Sequence, residues 1–242
     1  MTDQQNIETI TIEWTKGYEP KDLDYCAKQL KNSGGVYLWI FNGIVPRITY
    51  IGQAKRFLPR FTHHIATQLT GGYNAFDIRL HDDPLYFWEK FIINKEYDRN
   101  TTFLYQPRSP EDYQGCLKDR FFDERRRRMF EDYLYSHVFS FGLLKSADGK
   151  EDRIEKRKEV ESILMHGVRR AYAQELKLST EYDLKFKNSR SNASIIGGIT
   201  QNPSGPLSLK HTGLGFGSLP EKIQEVLNGI LVWPPIGPYR VS

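Results

Sequence analysis

Residues 34–64 of this 242-residue chain have the sequence GGVYLWIFNGIVPRITYIGQAKRFLPRFTHH. They contain two apolar runs, at 36–41 and 48–51, separated by the dipeptide Asn42-Gly43. Runs rich in β-branched and aromatic residues are typical of strands, and Asn-Gly is a strong turn dipeptide. The stretch therefore predicts a β-hairpin.

An amphipathic helix is predicted after the second strand, with Pro59 in its first turn. At 100° per residue its apolar side chains fall within one arc of about 120°: Phe57, Leu58, Phe61, Ile65 and Leu69. Arg60 and His64 are four residues apart, so they lie on one side of that arc. We expect Tyr37 and Tyr50 of the hairpin to meet these two side chains at one end of a small sheet.

The triplets 35–37 (Gly-Val-Tyr) and 50–52 (Tyr-Ile-Gly) resemble the motif of the GIY-YIG nuclease family, with valine for isoleucine in the first. Arg60 and His64 stand ten and fourteen residues after Tyr50. The family keeps its catalytic arginine and histidine at these positions. The resemblance implies an α+β fold, sandwich-like, in which a small β-sheet of GIY-YIG type is flanked by helices.

Composition places few limits on partners. The formal net charge is +4 and the pI is about 8.9, which permits a polyanionic partner without requiring one. Cys26 and Cys116 provide neither a disulfide framework nor a metal cluster, so we expect reduced thiols. The N-terminus is polar, and no apolar run approaches the roughly 20 residues of a membrane span. We therefore expect a cytoplasmic protein with no membrane partner.

A carboxylate that faces the core is predicted on a long helix over residues 152–174. The apolar residues of this helix occupy one arc of about 140°: Ile154, Val160, Leu164, Met165, Val168, Ala171 and Tyr172. Glu161 falls inside the arc, whereas Glu155 and Glu159 lie outside it. A carboxylate in a core is costly unless it is paired, protonated or bound to a metal. From the residues alone, the alternative is a glutamate at the rim of the stripe, paired with an arginine or lysine.

The resemblance implies a metal-binding role for Glu161, because the family carries one such glutamate on a helix after its third strand. That strand is predicted over residues 138–144, and Glu159 is the alternative ligand. One divalent cation on a single carboxylate suits Mg²⁺ (or Mn²⁺), since Mg²⁺ keeps several waters and takes a substrate phosphate as a further ligand.

The predicted catalytic residues have separate roles in hydrolysing a phosphodiester bond. Arg60 holds the scissile phosphate and stabilises its growing charge. The resemblance makes Tyr37 the base that takes a proton from water, provided that a metal and an arginine lower its pKa. Tyr50 orients water or phosphate, and His64 relays the proton or bonds a tyrosine hydroxyl.

Three further residues are predicted to contact substrate: Gly52, Lys55 and Asn188. Gly52 allows a close backbone approach. Asn188 is implied by the resemblance, because family members often carry an asparagine some residues after the glutamate. A surface-loop asparagine is the alternative for Asn188.

We predict a nuclease domain over residues 1–190 with an insertion at about 71–136. An irregular extension rich in Gly, Pro and Ser follows over 191–242, with a short helix at 220–230. The insertion contains four consecutive arginines at 125–128, but acidic neighbours make that segment nearly neutral. A solvated helix face with ion pairs is favoured there, and phosphate contact by one or two of the arginines is the alternative.

The sequence thus predicts a Mg²⁺-dependent endonuclease that hydrolyses DNA, a stand-alone enzyme of restriction or mobile-element type. Two alternatives stay open: a catalytically inactive nucleic-acid-binding protein on a nuclease scaffold, and a nuclease directed to RNA. The enzyme is favoured because the five candidate residues are intact: Tyr37, Tyr50, Arg60, His64 and Glu161. A symmetric DNA site would favour a homodimer.

Overall fold

The computed structural model describes residues 7–69, 75–76, 83–87, 89, 103–104, 124–146, 154–178, 206–230 and 232–233. Their fold is α+β, as predicted. The strands are β1 Glu8–Trp14, β2 Gly35–Phe41, β3 Arg47–Ala54, β4 Ala75–Phe76, β5 Phe103–Leu104, β6 His137–Ser146, β7 Leu207–Thr212 and β8 Val232–Trp233. The helices are α1 Leu23–Leu30, α2 Phe57–Leu69, α3 Pro84–Phe87, α4 Glu124–Tyr135, α5 Ile154–Glu175, α6 Leu214–Gly217 and α7 Glu221–Asn228, and a 3₁₀ turn at Pro20–Asp22 leads into α1.

The main sheet of the described residues has six strands in the order β3-β2-β6-β1-β7-β8. β1 and β7 run parallel, whereas the other neighbours are antiparallel. β4 and β5 form a separate pair. The predicted hairpin is the β2–β3 pair, and β3 lies at the edge of the sheet. The outward N–H and C=O groups of β3 therefore need partners from other elements.

Alternation along β2 divides the core into two layers. Val36, Leu38 and Ile40 belong to the layer that contains residues of α5 and α7. Tyr37 and Trp39 belong to the opposite layer, which contains residues of α1 and α2. Every residue of β2 is buried. Burial on both faces explains why the strand has a continuous apolar sequence rather than an alternating one.

The predicted elements outside the hairpin are confirmed where the structure describes them. Apolar and polar residues alternate over residues 7–13, which predicts a half-buried strand, and this segment forms most of β1. The apolar residues of 20–31 predict a short helix, and this segment contains α1. The third core strand is β6, which pairs with both β2 and β1. The long helix that carries Glu161 is α5.

Two expectations from composition can be compared with the structure only within the described residues. Cys26 is a free, buried thiol, and Cys116 lies outside the described residues. Within the described part of the chain, no helix combines the length and the apolar character needed to cross a membrane.

Part of the predicted irregular C-terminal extension belongs to the main sheet and its core. Residues 191–205 lie outside the described residues, but β7 pairs in parallel with β1 inside the main sheet. The side chains of Leu207 and Leu209, and those of Ile223 and Leu227 on α7, belong to the core. The short helix is confirmed as α7. The Gly, Pro and Ser content of the region masked the alternating pattern of β7, whose partner strand lies at the other end of the chain.

Most of the predicted insertion at 71–136 lies outside the described residues. Its described parts include β4, β5 and the helices α3 and α4. On α4, Arg127 pairs with Glu131 and Arg128 pairs with Glu124, each one helical turn apart. The ion-paired helix face is therefore confirmed for these two arginines.

We predict that His137 makes the protein sensitive to acid. Its side chain is 0% exposed, its Nδ1–H donates to the Tyr133 carbonyl (2.7 Å), and burial lowers its pKa from 6.5 to about 4. The folded state therefore binds a proton less readily than the unfolded state. The associated stability is complete above pH 6.5 and is lost as pH falls toward 4, by about 3 kcal/mol at roughly 1.4 kcal/mol per pKa unit.

Denaturant unfolding of the wild type and of His137→Asn between pH 4 and pH 7.5 measures this dependence. Asparagine keeps an N–H donor but does not titrate, so the variant should lose less stability on acidification. The control is His63→Asn, because His63 is exposed. An acid dependence that His137→Asn leaves unchanged would contradict the prediction.

Candidate active site

The hairpin brings the two tyrosines to one face of the sheet. Tyr37 lies opposite Gly52, and Trp39 lies opposite Tyr50, so the two tyrosines are diagonal neighbours across the strand pair. Their rings are stacked, with centroids 5.8 Å apart and an angle of 18° between planes. The pair therefore forms the floor of the site that the sequence predicted.

Gly52 is essential to this arrangement. A Cβ atom at position 52 would lie 2.3 Å from the Tyr37 hydroxyl oxygen and 2.4 Å from its Cζ. The ring of Tyr37 therefore crosses directly over the backbone of Gly52. The structure gives Gly52 a packing role toward Tyr37, whereas the predicted contact with substrate stays a prediction.

Helix α2 supplies two side chains that bond the hydroxyl of Tyr37. Arg60 Nε donates a hydrogen bond to Tyr37 Oη at 3.1 Å. His64 Nε2 lies 2.7 Å from the same oxygen, and Tyr50 Oη lies 3.5 Å from it. Because residues four apart share one side of a helix, a single helical turn presents both Arg60 and His64 to the tyrosine. The predicted convergence of these four residues is observed.

Burial keeps Tyr37 and His64 neutral at pH 7. The pKa of Tyr37 is raised well above its usual 10, chiefly by burial and by the neighbouring Tyr50, although Arg60 acts in the opposite direction. The pKa of His64 is lowered to about 3 by burial and then by the positive charge of Arg60 and by His63. Desolvation therefore outweighs the attraction of one arginine. The lowered pKa of Tyr37 expected beside a bound metal stays a prediction.

Glu161 enters the site from α5. It is half-buried, and burial raises its pKa to about 7 against the opposing effects of Arg60, a hydrogen bond from the Gln53 backbone N–H, and Lys158. Arg60 is its strongest charge partner. This half-buried position agrees with the alternative interpretation, in which Glu161 lies at the rim of the apolar stripe. The cation that acts most strongly on its pKa is Arg60, which is itself a predicted site residue.

Glu159, the alternative ligand, points to a different set of partners. Its carboxylate lies 3.5 Å from Lys156 Nζ, and Lys156 also bonds Glu8 on β1. The two glutamates are two residues apart, so they are about 200° apart around the helix. The structure therefore associates Glu161 with the tyrosine site, and Glu159 with β1.

Of the two remaining predicted substrate contacts, the structure describes only Lys55. Lys55 is exposed, in the short connection between β3 and α2. Asn188 lies outside the described residues. Among the described residues, no group of three or more His, Cys, Asp or Glu side chains could hold a metal ion.

Sequence reasoning missed two groups that belong to this site. Trp39 packs edge-on to His64, with ring centroids 5.2 Å apart, and lies 5.7 Å from the ring of Tyr50. The two-residue period of a strand could have placed Trp39 beside Tyr37 on the same face. The Gln53 N–H, which acts to lower the pKa of Glu161, is a backbone group, so no side-chain pattern could have identified it.

Comparison of the chain with protein-family models, with curated proteins and with solved structures found no match. The resemblance to GIY-YIG nucleases stays a prediction. It depends on the motif residues and on the geometry described above.

We predict that Gly52→Ala displaces Tyr37 and destabilises the fold. The new methyl group would overlap the phenol ring, and relief requires a shift of the ring or of the hairpin. We expect the free energy of unfolding to fall by about 1–3 kcal/mol, as is usual for overpacking a core.

Chemical denaturation of Gly52→Ala and of the control variant Gly217→Ala tests this prediction. A Cβ atom at position 217 would have nothing within 4 Å, so that control should stay within about 0.5 kcal/mol of the wild type. Equal stability of Gly52→Ala and the wild type would show that the close contact between Tyr37 and Gly52 is not a constraint.

Proposed function

We propose that this protein is a divalent-cation-dependent endonuclease that hydrolyses DNA phosphodiester bonds through a site of GIY-YIG type. The observation that supports the proposal most strongly is the convergence of candidate residues from β2, β3, α2 and α5. The Tyr37 hydroxyl bonds Arg60 and His64, and Arg60 is also the main charge partner of Glu161. A charged arginine thus links the tyrosines to a carboxylate from a distant helix.

The site has an outer and an inner layer, which suits a phosphodiester substrate. Arg60 and Glu161 are half-buried, whereas Tyr37 and His64 are only 3% and 1% exposed. A backbone phosphate that approaches from solvent would meet the cation and the carboxylate first. The neutral tyrosine and histidine lie behind them, where a proton could be passed on.

Arg60 is the residue that we assign to the scissile phosphate. Its guanidinium is partly desolvated and is oriented by the bond from Nε to Tyr37. Charge–charge attraction is stronger at such a position than in bulk water. Donors fixed before the substrate arrives stabilise the negative charge of a transition state without reorganising.

Tyr37 and His64 form a proton relay in this proposal. Because the pKa of Tyr37 is raised, the residue acts as a neutral phenol that transfers protons, not as a phenolate. With Nδ1 of His64 protonated, its Nε2 accepts the phenol proton over 2.7 Å while Oη takes a proton from water. The contact of Oη with Tyr50, at 3.5 Å, is long for a hydrogen bond between hydroxyls, so a water can compete for it.

A divalent cation fits the surroundings of Glu161. The raised pKa shows that this carboxylate has too little stabilisation for its full charge, and Mg²⁺ or Mn²⁺ would favour its ionised form. The cation would be held by Glu161 together with waters and a substrate oxygen, which is an arrangement that Mg²⁺ accepts. When bound, it would neutralise charge at the phosphorus as a Lewis acid.

The proposed partner is DNA, and cleavage of symmetric sites would involve a homodimer. The proposed location is the cytoplasm, where Cys26 would remain a buried free thiol. The proposed biological role is restriction or mobile-element function, because both require an endonuclease with its own sequence choice.

We expect the purified protein to cut supercoiled plasmid into discrete fragments in Mg²⁺ and not in EDTA. Glu161→Gln removes the charge that would hold the cation, and Arg60→Ala removes the phosphate contact, so each should lower cleavage by at least about 100-fold. The matched control is Glu159→Gln, on the same helix but paired with Lys156, which should cut like the wild type.

Other outcomes separate the alternatives. Cleavage of RNA alone would assign the enzyme to that substrate. A gel shift of DNA or RNA without cleavage, across a library of sequences, would favour the binding protein. Cleavage that survives in both Glu161→Gln and Arg60→Ala would contradict the proposed site.

We expect Tyr37→Phe to lower kcat by about 100-fold or more with little change in KM, because the relay loses the oxygen that exchanges protons. His64→Gln should cause a similar loss, since an amide can bond the hydroxyl but cannot accept its proton. Tyr18→Phe is the control, because Tyr18 is a buried tyrosine of the same layer outside the site. If His64→Gln kept the wild-type kcat, the role of His64 would be limited to orienting Tyr37.

A further inference from the structure

A second set of contacts joins β3 to α5 away from the candidate site. Tyr172 Oη accepts a hydrogen bond from the Ile48 N–H at 2.7 Å and donates one to the Ile48 carbonyl at 3.0 Å. Tyr172 is 1% exposed. One hydroxyl thus satisfies both outward-facing backbone groups of a residue on an edge strand, where no neighbouring strand of the described sheet reaches.

Arg47 reinforces this contact. It is 3% exposed, and its guanidinium donates to both carboxylate oxygens of Glu175 (2.7 and 2.6 Å) and to both of Asp83 (2.9 and 2.6 Å). The guanidinium carbon also lies 5.6 Å from the ring centre of Tyr172. Because a forked pair fixes orientation as well as distance, Arg47 holds the end of α5 against the start of β3.

Two contacts between β3 and α5 are separated by the same distance along the strand as along the helix. At one end the backbone of Gln53 acts on the pKa of the Glu161 carboxyl, and at the other end Tyr172 bonds Ile48. Eleven helical residues rise roughly 16 Å at 1.5 Å each, and five strand residues also rise roughly 16 Å at 3.3 Å each. Helix α5 therefore runs antiparallel to β3, with Tyr172 bonded to Ile48 and Glu161 close to Gln53.

We propose that Tyr172, held by Arg47, is a positioning residue that sets the register of α5 on β3 and thereby keeps Glu161 facing Arg60. A register change of one residue turns a helix by 100° and would carry Glu161 away from the site. The inference rests on the proposed function only where it concerns cleavage. The placement of Glu161 on Gln53 can be measured without any activity.

The test is Tyr172→Phe, which removes the hydroxyl and keeps the ring under Arg47. Residue-resolved amide hydrogen exchange by NMR reports the Gln53 N–H, five residues from the altered contact. We expect the Gln53 amide to exchange about tenfold faster or more, while amides of β2 change by less than about threefold. A merely structural loss of stability would accelerate the whole sheet together.

Two further variants keep the result interpretable. Arg47→Lys retains the charge but cannot fork to two carboxylates, so it should raise exchange at Gln53 in the same selective way. Tyr18→Phe, which removes the hydroxyl of a buried tyrosine in the opposite layer, should leave exchange at Gln53 unchanged. Unchanged exchange at Gln53 in Tyr172→Phe, or uniform acceleration across the sheet, would overturn the proposal.

Cleavage gives a second measurement. Tyr172→Phe should lower kcat by about tenfold with KM unchanged, and it should add no further loss to Glu161→Gln, because both changes act through one carboxylate. If the wild type cleaves no phosphodiester, the proposed function fails. Exchange at Gln53 then still decides whether Tyr172 positions Glu161.

Discussion

The close contact between Tyr37 and Gly52 is the constraint on which the site depends. Without a side chain at position 52, the phenol ring crosses from β2 over β3 and reaches α2. Its oxygen then bonds Arg60 and His64 together. A larger residue at position 52 would exclude the ring from this position, and the polar groups beneath it would lose their partner. The geometry of four candidate residues thus follows from one missing methyl group.

Burial explains the electrostatic character of the site. The inner layer is desolvated, so Tyr37 and His64 stay neutral although a positive arginine lies beside them. Charge is confined to the half-buried outer layer, where Arg60 and Glu161 interact with each other. Buried polar groups are costly unless they bond one another, and here the inner groups do so before any substrate is bound. Such an arrangement is preorganised for a charged ligand.

Sequence patterns predicted the parts of the fold that depend on near neighbours. The hairpin and α2 follow from periods of two and 3.6 residues within a short stretch, and they place the tyrosines, Arg60 and His64 correctly. Glu161 was identified because a carboxylate interrupted an apolar arc. The pairing of β7 with β1 was missed, since partners about 200 residues apart leave no local signal. The roles of Tyr172 and the Gln53 N–H were missed because they depend on the open edge of β3.

By itself, therefore, the sequence determined the identities and local spacing of the candidate site residues, because side-chain periodicity is a property of short segments. Only the tertiary structure decided which of them are charged. The pKa of Glu161 rises to about 7 and that of His64 falls to about 3 because residues from several elements remove water from around them. The tertiary structure also decided that α5 bonds the outer edge of β3, since an edge exists only once all the strands have taken their order in the sheet.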